Sequence, residues 1–355
     1  MKDYVILIPA LNPPSQLISY VSRLKKDGFK NILLVNDGSR AEYNELFSKI
    51  SDIEGCRVIT HKENMGKGRA LKDAFLYFLE EKKSGDFEDI KGIITVDSDG
   101  QHTVEDVEKI AAYMDENGDC LVLGTRDFDA ENVPPKSKIG NKFTKSAFRL
   151  FTGCEISDTQ TGLRGIPVSM LDEFTKIKGE RFEYETAVLM DCIKRGIKIR
   201  EVPIQTVYVD GNSETHFRPV VDSVKIIRVV VGTFTKYIMS SLCSFLVDYG
   251  LFCLILLVTG TLFDKSLGIW ISTIIARICS SLFNYTVNKR VVFASDKGSK
   301  TIIYYYILAA VQMALSAFFV WCLSLSGLID ARLAKLIVDT ILFLVSYQVQ
   351  KRIIF

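Results

Sequence analysis

Four long apolar segments, roughly residues 237–258, 267–287, 301–325 and 333–349, constrain the fold of this chain more than anything else in it. Each is long enough to cross about 30 Å of hydrocarbon as a helix. None shows the polar face that a helix of a water-soluble bundle presents to solvent. The back of the chain is therefore expected to be an all-α transmembrane domain. Basic residues orient it. Arg228 and Lys236 precede the first span, Lys289, Arg290, Lys297 and Lys300 fill the loop after the second, and Lys351 and Arg352 follow the fourth. These belong inside, so both termini and everything before the first span are expected on the cytoplasmic side of a plasma membrane. Lys265, Arg332 and Lys335 fall on the outer loops, beside Asp264 and Asp330.

Of the 44 Lys/Arg and 42 Asp/Glu in the 355 residues, ten and five lie after position 236. The front part is thus close to neutral. No basic stripe runs through it, which argues against a nucleic-acid partner. The eight cysteines are scattered without a C-x-x-C spacing, so they read as small hydrophobes in a reducing compartment. No signal peptide is legible, and the front part is expected to stay cytosolic.

In that front part, strand and helix alternate. Strands are expected at Tyr4–Ile8, Asn31–Val35, Arg57–Thr60, Gly92–Val96 and Leu121–Gly124. Helices are expected at Leu17–Lys26, near Ala41–Ile50 and at Lys67–Lys82. The pattern implies an α/β domain with a mainly parallel sheet covered on both faces. The chain is expected to divide into a cytosolic domain (1–219), a juxtamembrane connector (220–236) and the membrane domain (237–355).

Ligands of open α/β sheets sit at the carboxyl ends of the strands. One such end carries Asp97-Ser98-Asp99-Gly100-Gln101-His102. Strand alternation would turn Asp97 and Asp99 towards one spot, with Gln101 in step. Such hard oxygen ligands suit Mg²⁺ or Mn²⁺ carrying a diphosphate; a solvated turn is the alternative reading. Asn36-Asp37-Gly38-Ser39 is a turn whose carboxylate could accept from a base or ribose, or simply close an Asx turn. Gly66-Lys67-Gly68-Arg69 places glycines and cations at a helix start, where backbone N–H groups favour phosphate. Neither the Walker pattern nor G-x-G-x-x-G is present, which disfavours an ATPase or a Rossmann dehydrogenase.

Taken together, Pro9-Ala10-Leu11-Asn12, Val35-Asn36-Asp37-Gly38-Ser39, Glu63-Asn64-Met65-Gly66-Lys67-Gly68 and the Asp97–His102 stretch resemble family 2 glycosyltransferases of the GT-A fold. Gly124-Thr125-Arg126, Asp158-Thr159-Gln160-Thr161-Gly162-Leu163-Arg164 and Glu201-Val202-Pro203-Ile204 are similar to the branch that moves a sugar from a nucleotide-sugar onto a polyprenyl phosphate, as dolichyl-phosphate mannose synthase does. The resemblance implies nucleotide contacts from Pro9, Ala10, Leu11, Asn12, Asp37, Gly66, Lys67, Asp97 and Ser98. It implies a metal and diphosphate held by Asp97, Asp99 and Gln101, and Arg126 meeting the acceptor phosphate or the donor diphosphate with Arg164 near it; Lys138 and Arg218 are further cationic candidates for the acceptor phosphate. Asp97, Asp99 and Arg126 would carry the transfer. Two departures stand out: Leu11 and Pro13 replace the aromatic and acidic residues of the family's first motif, and Lys136 and Lys138 flank Ser137 where an arginine is usual.

An acceptor phosphate that is largely dianionic at neutral pH needs cations more than a general base, so an inverting single transfer is expected. The chain has no Q-x-x-R-W, which by resemblance marks processive synthases. Glu183 reads as a sugar contact or a solvated helix position. His216 and Arg218 lie in a segment expected to close over the site. Undecaprenyl phosphate is the expected acceptor, and envelope glycosylation the expected use. Another lipid acceptor such as diacylglycerol, or a flippase that merely binds nucleotide-sugar, are the alternatives.

Residues 222–234 combine Val224, Ile227 and Val231 with Lys225 and Arg228, and read as an interfacial helix or a rigid connector. Asp248 and Arg277 fall mid-way in the first and second spans. Intramembrane charges are costly and face a partner or a cavity, so these two are expected to pair, with Asn284 and Asn288 on the same inward face. Phe245, Asp248, Asn284, Asn288, Lys289, Arg290 and Phe293 resemble the GtrA-like four-helix family, which implies an anchoring or sugar-lipid-moving role and contact with the bilayer. Self-association is expected.

Overall fold

The computed structural model describes residues 2–128, 135–205, 219–262, 264–325 and 330–355. They form two compact units, the first ending at Val230 and the second running Val231–Phe355.

The first unit is a three-layer α/β domain. In chain order its elements are β1 (Lys2–Ala10), α1 (Gln16–Lys26), β2 (Phe29–Asn36), α2 (Asn44–Ser51), β3 (Cys56–Thr60), α3 (Lys67–Lys83), β4 (Gly92–Thr95), α4 (Val104–Asn117), β5 (Leu121–Arg126), α5 (Pro135–Thr152), β6 (Arg164–Pro167), α6 (Val168–Thr175), α7 (Glu183–Arg195) and β7 (Ile199–Ile204). The sheet order is β3-β2-β1-β4-β6-β5-β7. Every pairing is parallel except the two made by β6. Pro203 cannot donate to a ladder, and it lies in β7, an edge strand.

Side-chain alternation along β1 shows why both faces are covered. Tyr4, Ile6 and Ile8 pack under α1, α2 and α4, and Val5 and Leu7 pack under α3, α6 and α7. Strands buried on both sides read as unbroken apolar runs, as Val5–Ile8 and Ile32–Val35 do.

Register fixes the functional edge. Ala10 pairs with Asn36, Leu7 with Thr95, and Arg164 with both Thr95 and Leu123. Arg126, three residues past Leu123, and Asp97, two past Thr95, therefore leave the same carboxyl edge of the sheet. Because β6 runs the other way, the loop before Arg164 returns to that edge.

The helix α8 (Pro219–Leu262) begins in the first unit and continues through the second; the expected connector and first span are one uninterrupted helix. With α9 (Lys265–Val287), α10 (Thr301–Leu325) and α11 (Ala331–Val349), it gives four helices long and apolar enough to cross a membrane. Short π-helical turns, Asn288–Val292 and Gln350–Ile354, follow α9 and α11.

Candidate active site

The turn after β4 carries the two acidic residues. The strand ends at Thr95, so Asp97 and Asp99 lie in the turn itself, with Ser98 between them. Their placement is thus set by the loop and turn after the strand rather than by strand alternation. Thr95 donates its hydroxyl to the carbonyl of Gly162 at 2.7 Å, which ties the turn to the loop before β6. A Cβ on Gly162 would lie 2.1 Å from Asp97 Oδ2, so only glycine lets this loop close on the carboxylate. The backbone N–H of Gln101 donates to Asp99 Oδ1 at 3.0 Å.

Lys67, from the start of α3, reaches into this edge. Its Nζ lies 2.6 Å from Asp97 Oδ1 and 2.9 Å from Oε1 of Glu185, a buried residue in the first turn of α7. His102, also buried, has its Nε2 3.8 Å from Asp97 Oδ2, and its Nδ1 has no partner among the described residues. Burial opposes the charge on Asp97, but the Lys67 ammonium and His102 overcome it and hold this carboxyl below the usual carboxylate range. Partial desolvation and the Asp97 charge push the Asp99 carboxyl up. Burial likewise opposes the charge on Lys67, and Asp97 and Glu185 reverse that, raising it. Glu185 and His102 were not singled out from sequence as site residues. An acidic position in a helix's first turn carries no signal of a partner more than a hundred residues away.

Arg126 ends β5. It makes a two-pronged pair with the fully buried Asp158, Nε to Oδ2 at 2.6 Å and Nη2 to Oδ1 at 3.0 Å, and lies over the Phe128 ring. This fork fixes the guanidinium plane at the sheet edge.

The first loops are stitched to one another. Asn12 donates its backbone N–H to Ser39 Oγ, and Arg40 donates its own to Asn12 Oδ1. Pro9 and Ala10 end β1, and Leu11 follows. Asp37 is buried, and both its oxygens serve the chain: Oδ1 accepts from Met65 N and lies 2.9 Å from His61 Nδ1, and Oδ2 accepts from Gly66 N at 2.8 Å. Asp37, the expected nucleotide contact, braces the β2 end against the entry to α3. Gly66 has φ +102°, and a Cβ there would meet the Glu180 carbonyl at 2.4 Å.

Two other expected residues spend hydrogen bonds on the chain itself. Arg164 is buried and spends its guanidinium on the carbonyls of Thr161, Glu185 and Thr159, so it frames the loop before β6. Glu183 starts α7, where its Oε1 accepts from the backbone N–H groups of Glu180 and Arg181. Its Oε2 has no partner among the described residues. Lys138 lies on α5. His216, Arg218 and the segment expected to close over the site lie outside the described residues. Among those residues, no three His, Cys, Asp or Glu side chains converge as a ready metal cage.

In the second unit, Arg277 Nη2 lies 3.3 Å from Asp248 Oδ2, and Ser280 donates to Asp248 Oδ1 at 2.9 Å. Asn284 donates to Ser244 and accepts from Tyr305 OH, and Asn288 donates to Asn284 Oδ1 and to Gln350 Oε1.

With this geometry in hand, residues 5–175 match Glycosyl transferase family 2, and residues 236–355 match the GtrA/DPMS transmembrane domain. An uncharacterized protein of Methanocaldococcus jannaschii is 33% identical over 214 residues, covering 59% of this chain and 84% of that protein. The UDP-N-acetylglucosamine–dolichyl-phosphate N-acetylglucosaminyltransferase of Methanococcus voltae is 26% identical over 230 residues, covering 59% and 87%. The dolichyl-phosphate beta-glucosyltransferase of Saccharomyces cerevisiae is 26% identical over 247 residues, covering 64% and 72%. The chain belongs to glycosyl transferase family 2: it is a glycosyltransferase with a GT-A-type sheet, joined to a GtrA/DPMS-type transmembrane domain.

Proposed function

We propose that this enzyme transfers one sugar from a nucleotide-sugar to a polyprenyl phosphate, with inversion, at the cytoplasmic face of a membrane. The observation that carries the reading is the shared carboxyl edge, where Asp97 and Asp99 follow β4, the Asp158-braced Arg126 ends β5 on the far side of β6, and Lys67 reaches in from α3. The acceptor follows from the relatives in Methanococcus voltae and Saccharomyces cerevisiae, both named for transfer to dolichyl phosphate, and from the four apolar helices.

Charge at the edge supports a Mg²⁺ or Mn²⁺ partner. Asp97 and Glu185 share the single Lys67 ammonium, and desolvation together with the neighbouring Asp97 charge raises the Asp99 carboxyl, a setting that favours a bound cation. Asp97, Asp99 and the side chain of Gln101 would hold the cation, with substrate phosphate and water completing the shell, as hard divalent ions prefer. A cation bound there would offset the charge that develops on the leaving diphosphate.

The chain's own groups do the rest. Arg126 holds the acceptor phosphate with its plane set by Asp158, and Lys138 adds a point charge from α5. A phosphate monoester with a second pKa of about 6 is already nucleophilic at neutral pH, so the site positions it and needs no base. Attack opposite the diphosphate inverts the anomeric carbon. The basic loops support a catalytic unit and both termini on the inside.

Membranes carrying the protein, incubated with a panel of labelled nucleotide-sugars and undecaprenyl phosphate with and without Mn²⁺, test the reading. A labelled polyprenyl phosphate sugar that requires the cation and vanishes in Asp99→Asn supports it. Label on diacylglycerol assigns a different acceptor. Export of preformed sugar-lipid that survives Asp99→Asn, without any transfer, assigns a flippase instead.

A further inference from the structure

The end of α9 and the end of α11 carry the same sentence. Tyr285-Thr286-Val287-Asn288-Lys289-Arg290-Val291-Val292-Phe293 aligns with Tyr347-Gln348-Val349-Gln350-Lys351-Arg352-Ile353-Ile354-Phe355, with five identical residues and Asn/Gln or Val/Ile at three more. The offset is the 62 positions that separate Asn288 from Gln350.

Geometry repeats with sequence. Both stretches leave the α-helix for a π-turn at the equivalent residue, closed by Phe293 N donating to Asn288 O at 2.9 Å and Phe355 N donating to Gln350 O at 2.8 Å. The contacts extend the relation to α8 and α10 at an offset of 68, six positions more than between α9 and α11, setting Tyr237 against Tyr305, Ser244 against Gln312 and Asp248 against Ser316. Tyr237 meets Tyr347 with ring centroids 5.3 Å apart, and Tyr305 meets Tyr285 at 5.5 Å. Phe293 lies 6.0 Å from Tyr347, and Phe355 lies 5.8 Å from Tyr285. Ser244 bonds Asn284 at 2.8 Å, and Gln312 bonds the equivalent Ser346 at 3.1 Å.

A contact made from one copy to the other and returned between the exchanged positions is the mark of a two-fold relation. Residues that are each other's equivalents should then meet on the axis, and they do. Asn288 Nδ2 donates to Gln350 Oε1 at 3.0 Å, and the Phe293 and Phe355 rings stack at 5.3 Å with 18° between planes.

We infer that the membrane domain is two tandem copies of one helical hairpin, α8–α9 and α10–α11, each presenting a face built to recognise another hairpin of the same design, with the Asn288–Gln350 amides as the latch on the axis. In hydrocarbon an unpaired amide has no water to turn to, so the two amides specify each other and set the depth at which the copies dock. Away from the latch the copies have diverged. Asp248 with Arg277 in the first corresponds to Ser316 with Asp339 in the second, where the cation comes from Lys335 at 2.8 Å. A groove of about 370 Å³ opens between the copies at that level, lined by Tyr237, Ser241, Gln312, Ser316, Asp339 and Ser346.

The test is a matched series in the full-length protein purified in detergent, followed by thermal unfolding. Asn288→Leu and Gln350→Leu should lower the melting temperature by the same amount, on the order of 5 °C, as should Tyr285→Leu and Tyr347→Leu. The exchange Asn288→Gln with Gln350→Asn should restore the parent value. Pairs whose effects differ more than twofold, or an exchange as damaging as either leucine, would overturn the inference. Should the leucine variants not fold, thiol cross-linking decides in a chain cleared of native cysteines. Tyr237→Cys with Tyr347→Cys and Tyr305→Cys with Tyr285→Cys should both link through a short reagent, and linkage of only one pair refutes the two-fold relation.

Discussion

Replacing Lys67 with methionine removes the one ammonium that separates two carboxylates. Its Nζ lies 2.6 Å from Asp97 and 2.9 Å from Glu185, and the side chains of Lys67 and Glu185 are only 14% and 4% exposed. Stripping one partner from a buried ion pair costs about 3–5 kcal/mol. Asp97 keeps 29% of its side-chain surface, so water relieves part of that and the low end, about 3 kcal/mol, is expected. For a unit of this size that corresponds to a fall of about 6–12 °C in the melting of the first unit, measured by near-ultraviolet circular dichroism on purified protein. Adding Glu185→Gln to Lys67→Met should recover more than half, because the amide no longer needs a counter-charge. The gap also depends on pH. Asp97 is held below the usual carboxylate range, so its pairing stabilises the fold above the unfolded value of about 4 and loses this as pH falls towards the folded value. Parent and Lys67→Met should therefore converge in acid. A loss under about 1 kcal/mol, or no recovery from Glu185→Gln, would show that the ammonium does not hold this edge together.

Three further outcomes follow from the same geometry. Arg126→Lys keeps a positive charge but loses the fork to Asp158, and should cut kcat/KM about 10–100-fold with little change in melting temperature. Arg164→Met strands three carbonyls and should cost stability, about 1–3 kcal/mol per unsatisfied group at most, seen as a lower denaturant midpoint rather than a selective loss of turnover. Burial pushes the Cys192 thiol up to about 12 and also raises Cys56 and Cys120; at pH 8, mass spectrometry of the alkylated native protein should find these three unmodified and the half-buried Cys154 labelled.

The alternating front of the sheet was legible because fully buried strands and amphipathic helices leave strong periodic signals: β1, α1, β2, β3, α3 and β4 stand within a few residues of where periodicity put them. Past β5, itself expected at Leu121–Gly124, the later elements were not read. The strand β6 is four residues long and runs antiparallel, and β7 carries a proline and alternates weakly on an edge. At the candidate site, motif order pointed to one carboxyl edge of the sheet, but side-chain surroundings depended on tertiary partners. Asp37 and Arg164 read as ligand contacts in sequence; the fold also gives Asp37 two backbone N–H groups and His61, and gives Arg164 three carbonyls, partners that no local pattern announces. Glu185 shows the converse: it gains meaning only when α7 is laid beside α3. In the membrane unit the matched ends of α9 and α11 stand in the bare sequence, but the pairing of α8 with α10 emerges only from contacts such as Tyr237–Tyr347 and Tyr285–Tyr305.

The most direct measurement identifies the product made by purified protein from a labelled nucleotide-sugar and polyprenyl phosphate in the presence of Mn²⁺. The account predicts a single sugar joined through one phosphodiester to the lipid, with its anomeric configuration opposite to the donor's. A retained configuration, a growing sugar chain, or a sugar placed on a hydroxyl while the lipid phosphate stays untouched would contradict it.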